Sequence, residues 1–167
     1  MKHTISVPLS ERGFDRLIRK LDEYERWMKR KTDQLSLRLA SLGATSASIG
    51  FATALYDGIN NTTITVEHRG DGIYAVKANG ETVLIIEYGA GVAMANPPHP
   101  EPNGFGPGTY PEQKHAMDPD GWYVPKEKRQ YVGHKKSYGS PANAPMYNSV
   151  KNLEQEFARI VQEVFAD

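Results

Sequence analysis

Cysteine is absent from the 167 residues, and its absence removes several kinds of chemistry. Without it the chain has no disulfide bond, no thiol nucleophile and no cysteine-ligated metal. No segment approaches the roughly 20 apolar residues of a membrane helix, and Met1–Ser10 contains no apolar run of signal-peptide length. We therefore expect no membrane partner, and the lack of cysteine fits a reducing compartment.

An excess of charge of one sign is also missing, since twenty Lys and Arg residues balance twenty Asp and Glu residues. This balance does not favour a strongly basic nucleic-acid-binding protein. The segment Arg26–Lys31 is locally basic around Trp27 and offers contacts to DNA phosphates. Acidic residues interleave with it, which favours a solvated helix face. They are Asp22, Glu23, Glu25 and Asp33.

Motifs that carry catalysis or cofactor binding are missing as well. None of the five histidines, His3, His68, His99, His115 and His134, has the spacing of a helical metal site. The segment Gly104–Gly108 resembles a phosphate loop but lacks the following Lys-Ser/Thr, and no G-x-S-x-G elbow occurs. Asp118 and Asp120 belong to a turn sequence. We expect no catalytic residue, metal or cofactor.

Two amphipathic helices are predicted at the ends of the chain. Ser10 is a suitable N-cap for the first, and Gly43 a natural stop. Its apolar stripe is formed by Phe14, Leu17, Ile18, Leu21, Tyr24, Met28, Leu35, Leu39 and Leu42. Asn143 can cap the second helix, and Pro145 suits its first turn. Its stripe is formed by Val150, Leu153, Phe157, Ile160 and Val164.

Four strands are predicted between the helices. Ile49–Leu55 alternates with the period of a strand, as does the segment around Ile64 and Val66. Ile73–Ala78 follows a Gly-Asp-Gly turn, and Asn79-Gly80 separates it from Thr82–Tyr88. The predicted fold is one α+β domain over residues 1–167, with a four-stranded antiparallel sheet and the C-terminal helix packed on it.

The segment 89–142 is a long arm of different composition. Ten of the eleven prolines lie between Pro97 and Pro145, and eight of the fifteen glycines lie between Gly89 and Gly139. That density is incompatible with regular helix or sheet. The arm nevertheless contains six aromatic residues: Phe105, Tyr110, Trp122, Tyr123, Tyr131 and Tyr138. Disordered linkers are poor in aromatics, so we expect the arm to become ordered against a partner or its own domain.

Glu87 is the acidic residue of greatest interest. It ends the aliphatic run Val83–Ile86, and a carboxylate in buried surroundings needs a partner. We expect it to bind backbone N–H groups of its own Gly89–Gly91 turn or a basic residue of a neighbouring subunit. The alternative is a glutamate at a strand end that points to solvent.

The segment Val83–Gly91, with its aliphatic-Glu-Tyr-Gly-Ala-Gly pattern, resembles the central motif of a tailed-phage family. This family is the minor tail component or tail-completion group, also described as head-tail joining or neck proteins. Further landmarks occur here in the family's order, although Ala90 stands where many members have Thr and the arm is longer. They are the long first helix, Tyr56-Asp57-Gly58, Gly106–Pro111, Gly121-Trp122-Tyr123 and Ala144–Tyr147.

The resemblance implies a structural virion protein that is not an enzyme and forms a ring, commonly of six copies, at the head-tail junction. Its neighbours would be the tail tube or tail terminator and the head-closure ring, with DNA passing through the lumen. The assembly motif would comprise Glu87, Tyr88, Gly89, Gly91, Trp122 and Pro145. Net basic charge in the first helix and net acidic charge in the last suit self-association.

Two other classes of function remain open from the residues. One is a small hydrolase whose site lies under the 89–142 arm and uses Glu87 and His115. The other is a DNA-contacting protein that uses Arg26–Lys31. Salt-dependent retention on DNA would identify the second, since phosphate contacts weaken steeply with ionic strength.

Overall fold

The computed structural model describes residues 5–56, 58–91, 97–110, 117–123 and 136–166. Within these ranges the chain forms three helices and one antiparallel sheet of two strands. The elements in order are α1 (Glu11–Ala52), β1 (Thr63–His68), β2 (Tyr74–Asn79), α2 (Val83–Tyr88) and α3 (Pro145–Phe165). The prediction of an α+β fold with a four-stranded sheet is therefore wrong in its strand number, although both terminal helices are present.

Helix α1 begins as predicted but continues past its predicted end. The Ser10 side chain accepts a hydrogen bond from the Gly13 N–H at 3.2 Å, which confirms the N-cap. The helix passes through Gly43 and ends at Ala52, so the predicted strand Ile49–Leu55 is wrong. Alternating small residues fit the period of a helix as well as that of a strand, and here packing against α3 stabilises the helix. At 1.5 Å per residue, its 42 residues span about 63 Å.

Gly43, predicted to stop the helix, lies instead where three elements meet. A methyl group at this position would lie 3.1 Å from Leu153 Cδ1 of α3 and 3.7 Å from Val76 Cγ2 of β2. The Ser149 hydroxyl donates to the Gly43 carbonyl oxygen at 2.8 Å. Absence of a side chain at Gly43 thus leaves room for Leu153 of α3, whereas a methyl group would make only an ordinary contact with Val76 of the hairpin.

Strands β1 and β2 form the hairpin predicted around Gly70-Asp71-Gly72. They pair from Thr63 opposite Asn79 to His68 opposite Tyr74, and the Ile73 N–H donates to Gly70 O at 2.9 Å. The Tyr74 hydroxyl donates to Asp33 Oδ1 of α1 at 3.2 Å. The hairpin therefore packs on α1.

The predicted fourth strand, Thr82–Tyr88, is wrong because these residues form the short helix α2. The Ile86 N–H donates to Thr82 O and the Gly89 N–H to Ile85 O, both at 2.9 Å. Gly89, with φ +81°, ends the helix in a conformation that favours glycine. A short aliphatic run does not distinguish a buried strand from a buried helical turn.

Helix α3 packs mainly along α1 rather than on the sheet, contrary to the prediction. The pair is antiparallel, since Pro145 meets Gly50 and the Phe165 ring lies 5.9 Å from the Trp27 ring. Ile160 and Val164 of the predicted stripe are buried, whereas Val150 and Phe157 are half exposed. In the described part of the chain no helix has the length and apolarity needed to cross a membrane.

Candidate functional site

Glu87 lies in the last turn of α2, and its carboxylate binds the first turn of α3. Its Oε2 accepts a hydrogen bond from the Met146 N–H at 2.8 Å, and its Oε1 accepts one from the Tyr147 N–H at 3.0 Å. The N–H groups in the first turn of a helix have no partner within the helix. A negative charge at that end also interacts favourably with the helix dipole. Glu87 therefore caps α3 from a distant position in the sequence.

The start of α3 has no side-chain cap of its own. Its N-cap residue is Ala144, which has φ +49° and no side-chain acceptor, and Pro145 follows without an N–H. Asn143, the predicted cap, has a different role. Its Oδ1 accepts from the Leu55 N–H at 2.7 Å, and its Nδ2 donates to Pro141 O at 3.1 Å. Asn143 thus connects the segment after α1 with the segment before α3.

His99 contributes the third hydrogen bond to the Glu87 carboxylate. The His99 Nε2 lies 3.2 Å from Glu87 Oε1, and His99 Nδ1 accepts from the Glu101 N–H at 3.0 Å. Because Nδ1 acts as an acceptor, the ring proton of a neutral His99 is on Nε2 and is donated to Glu87. Both side chains are buried, at 4% and 7% exposure. His99 therefore attaches the arm to α2.

Aromatic rings surround this buried pair. The Tyr88 ring lies 4.5 Å from the His99 ring and 5.1 Å from the Phe105 ring, while Tyr147 meets His99 edge-on at 5.4 Å. Burial, and then the nearby Glu87 charge, raise the pKa of Tyr88. The rings come from α2, the arm and α3, so the three segments share one apolar cluster.

Tyr110 attaches the arm to Gly89, at the end of α2. Its hydroxyl donates to the Gly89 carbonyl oxygen at 3.0 Å, and the residue is buried. Burial is the main cause of the raised pKa of Tyr110, and the nearby Tyr88 is a smaller one. The neutral phenol is thus the form that the fold stabilises.

Three segments of the arm meet at what we call the arm root, residues 89–91, 121–123 and 137–140. Ala90 pairs with Ser140 and Trp122 pairs with Ser137, each as an isolated antiparallel bridge. Glycine is required at the contacts: a methyl group at Gly139 would lie 1.9 Å from Ala90 O. The backbone of the arm root is thus closely packed.

The six predicted motif residues divide between two adjoining places. Glu87, Tyr88 and Pro145 lie where α2 meets the start of α3. Gly89 receives the Tyr110 hydrogen bond, and Gly91 would, with a side chain, come within 2.9 Å of the Trp122 ring. The donors to Glu87 are not the predicted ones, because they belong to α3 and His99 rather than to the Gly89–Gly91 turn or a neighbour.

Sequence reasoning did not connect His99 or Tyr147 with Glu87. His99 stands between two prolines, and a buried histidine in such a segment has no periodic pattern to reveal it. The hydrolase hypothesis paired Glu87 with His115, which lies outside the described residues. The basic segment Arg26–Lys31 lies on α1, where Arg26, Lys29 and Arg30 are exposed.

The arrangement around Glu87 is a structural clip rather than a set of free reactive groups. Its carboxylate accepts three hydrogen bonds, and both nitrogens of His99 are engaged. Among the described residues, no group of three or more His, Cys, Asp or Glu side chains is placed to hold a metal ion. The clip joins α2, the arm and α3.

No protein-family model, curated protein or solved structure matches the chain.

Proposed function

We propose that this chain is a structural subunit at the head-tail junction of a tailed phage or prophage, of the tail-completion type. It acts in the virion as a ring of copies, six-fold as the resemblance implies. Its neighbours are the tail tube or tail terminator and the head-closure ring, and DNA passes through the lumen.

The main support for this proposal is the set of contacts made by Glu87, the acidic residue of the Val83–Gly91 motif that resembles the phage family. Glu87 is buried, at 5% exposure for the residue, and its carboxylate accepts hydrogen bonds from two N–H groups of α3 and from the His99 ring. A hydrolase needs a carboxylate that reaches substrate, and this one is fully engaged in joining segments. The geometry thus favours a structural role for the motif over catalysis.

The exposed apolar side chains of α1 support self-association. Phe14, Ile18 and Leu21 are each at least half exposed, and they follow one another along one side of the helix. Exposed apolar patches of this kind occur at protein–protein interfaces. Such a surface is expected in a subunit that functions only in an assembly.

Deletion of the gene from its phage tests the proposal. We expect filled heads and finished tails that remain separate under the electron microscope, with joined particles restored by a plasmid copy. A plasmid copy that carries Glu81→Gln should restore joining as the wild-type copy does, since Glu81 is exposed and lies six residues from Glu87. Joined infectious particles without the gene, or virions that lack the protein, would refute the proposal.

A further inference from the structure

The first part of α1, residues 11–29, extends beyond the rest of the described fold, and we call it the α1 overhang. From Glu11 to Arg26 every residue except Gly13 and Leu17 is exposed. The end of α3 reaches α1 at Trp27. Most of the stability of a helix in a protein comes from packing of its apolar face, so a helix with an exposed apolar stripe gains from a partner.

A row of six charged residues runs beside the apolar stripe. At about 100° per residue, the six lie within an arc of about 80° that borders the face of Phe14, Ile18 and Leu21. The six are Glu11, Asp15, Arg19, Asp22, Arg26 and Lys29. All are exposed, and none forms an ion pair with the described residues of its own chain.

The signs of this row invert when it is read backwards. From the N-terminal end they are negative, negative, positive, negative, positive, positive. Reversal places Lys29 opposite Glu11, and each further position also meets its opposite sign. A row of this kind complements a second copy of itself that runs in the opposite direction.

We propose that the α1 overhang pairs with the α1 overhang of a second copy, antiparallel about a two-fold axis near Leu21. Three pairs form, each twice: Glu11 with Lys29, Asp15 with Arg26, and Arg19 with Asp22 of the other copy. The apolar stripes cover one another between the two axes. In an antiparallel pair, the side of one helix that carries the charge row faces the same side of the other helix. In a parallel pair, it would face the opposite side of the other helix.

Spacing within one helix accounts for only part of the pattern. Asp15 with Arg19 and Asp22 with Arg26 are favourable pairs four residues apart. However, Glu11 lies four residues before Asp15, and Arg26 three before Lys29, so like charges adjoin at both ends. Like charges at this spacing destabilise an isolated helix. Glu25, four residues before Lys29, supplies one opposite charge within the helix, whereas the antiparallel partner supplies one at both ends.

The pairing covers the same apolar side chains of α1 that support self-association in the proposed function, but it does not depend on that function. A two-fold contact uses the same surface on both copies and closes on itself, so it does not propagate around a ring. The two-fold pair is the form of the protein before it joins an assembly. One helix pair is a small interface, so we expect weak association, with a dissociation constant on the order of micromolar.

Complementary charge reversal tests the pairing by sedimentation at about 1–200 μM protein, the range in which a weak dimer dissociates. One variant carries Glu11→Lys with Asp15→Arg, and the other carries Arg26→Glu with Lys29→Glu. Alone, each variant sets like charges against each other at four of the six pairs, so we expect self-association at least about tenfold weaker. Mixed together they restore all six pairs, and we expect a heterodimer of wild-type affinity.

Matched controls separate this result from a loss of folding. Arg16→Glu with Glu23→Lys changes exposed charges on the opposite face of the same helix, and we expect wild-type association. Far-UV circular dichroism monitors the helix in every variant. A wild-type protein that stays monomeric, a reversal variant that associates like wild type, or a mixture that does not associate would each overturn the proposal.

Orientation is tested with single cysteines, since the natural chain has none. Asp15→Cys mixed with Arg26→Cys should form a mixed disulfide on oxidation, and Asp15→Cys alone should not. Cross-linking of Asp15→Cys with itself at the same rate as the mixture would refute the antiparallel register.

Discussion

At the scale of single residues, Glu87 carries one negative charge toward which three donors from two distant segments point. Met146 and Tyr147 approach it from α3, and His99 approaches it from the arm. Hydrogen bonds to a charged group are roughly twice as strong as those between neutral groups. Burial of the carboxylate makes these bonds necessary as well as favourable, because an unpartnered buried charge is costly.

Replacement of Glu87 by Gln should lower the free energy of unfolding by about 1–3 kcal/mol. The amide keeps one acceptor oxygen, but its NH₂ group would face a donor of α3 or His99. Urea denaturation measures the change, with Glu81→Gln as the exposed control expected to unfold like wild type. Equal midpoints for both variants would show that the Glu87 charge contributes nothing to stability.

Tyr110 should make the free energy of unfolding fall at alkaline pH. Its pKa is raised in the folded state, so its contribution is complete below its ordinary value of 10.0 and is lost as the pH rises above it. Tyr110→Phe should cost about 0.5–1.5 kcal/mol at pH 7 through the lost bond to Gly89 O. The variant should also lose less stability than wild type between pH 9 and about pH 11. Unfolding measured across this range tests both; parallel curves would contradict the assignment.

The site was partly predictable from its residues. A carboxylate after the aliphatic run Val83–Ile86 indicates a buried group that needs a partner, whatever the secondary structure. The identity of the partner was not predictable, because Met146 lies 59 residues away and donates through its backbone. His99 bonds through a ring nitrogen whose geometry depends on a proline-rich turn with no periodic signal.

At the scale of elements, the contact of α1 with α3 depends on small residues. A methyl group at Gly50 would lie 2.7 Å from Pro145 Cβ, which belongs to a rigid ring. A methyl group at Gly43 would lie 3.1 Å from Leu153 Cδ1, the end of a flexible side chain. Both substitutions gain about 1 kcal/mol of helix propensity, so the difference between them reports packing.

Gly50→Ala should therefore destabilise the protein by about 1–3 kcal/mol through overpacking, despite its propensity gain. Gly43→Ala should change the stability by less, because Leu153 can move by a few tenths of an ångström. Thermal and urea unfolding of the two variants give the comparison. If Gly50→Ala proved the more stable of the two, α3 would not pack on α1 as described.

Sequence patterns predicted correctly those ends of elements that depend on residues only a few positions apart. Ser10 starts α1, and Gly70-Asp71-Gly72 turns the hairpin, and both residue patterns act within a few positions. Ile49–Leu55 and Thr82–Tyr88 were assigned to strands because short or small-residue segments fit both periods. Their helical state depends on α3, more than fifty residues later in the chain, and single-sequence patterns carry no information about that contact.

At the scale of the whole molecule, the described parts of the arm belong to the domain. His99 and Tyr110 hold its first part to α2 and Gly89, and Trp122 and Ser140 return to the arm root. The described parts of the arm therefore contact the domain at more than one point. Ordering of the arm against a neighbouring subunit stays a prediction.

Salt should weaken the association of two α1 overhangs. Raising the ionic strength from about 0.1 M to about 1 M shortens the Debye length from about 10 Å to about 3 Å, which screens exposed ion pairs. We expect the dissociation constant of the wild-type dimer, measured by sedimentation, to rise several-fold over this range. The Arg16→Glu, Glu23→Lys control should respond equally. An association that tightens with salt would indicate apolar contacts without the charge row.

The distance along the chain between Glu87 and its donors also orders events during synthesis. The Met146 and Tyr147 N–H groups are made 59 and 60 residues after Glu87. At about 5–20 residues per second, the carboxylate waits roughly 3–12 s on the ribosome without them. During that interval it lacks these two donors, and α2 has no α3 to pack against. Docking of α3 is thus a late step, and an incomplete chain exposes the surface that α3 later covers.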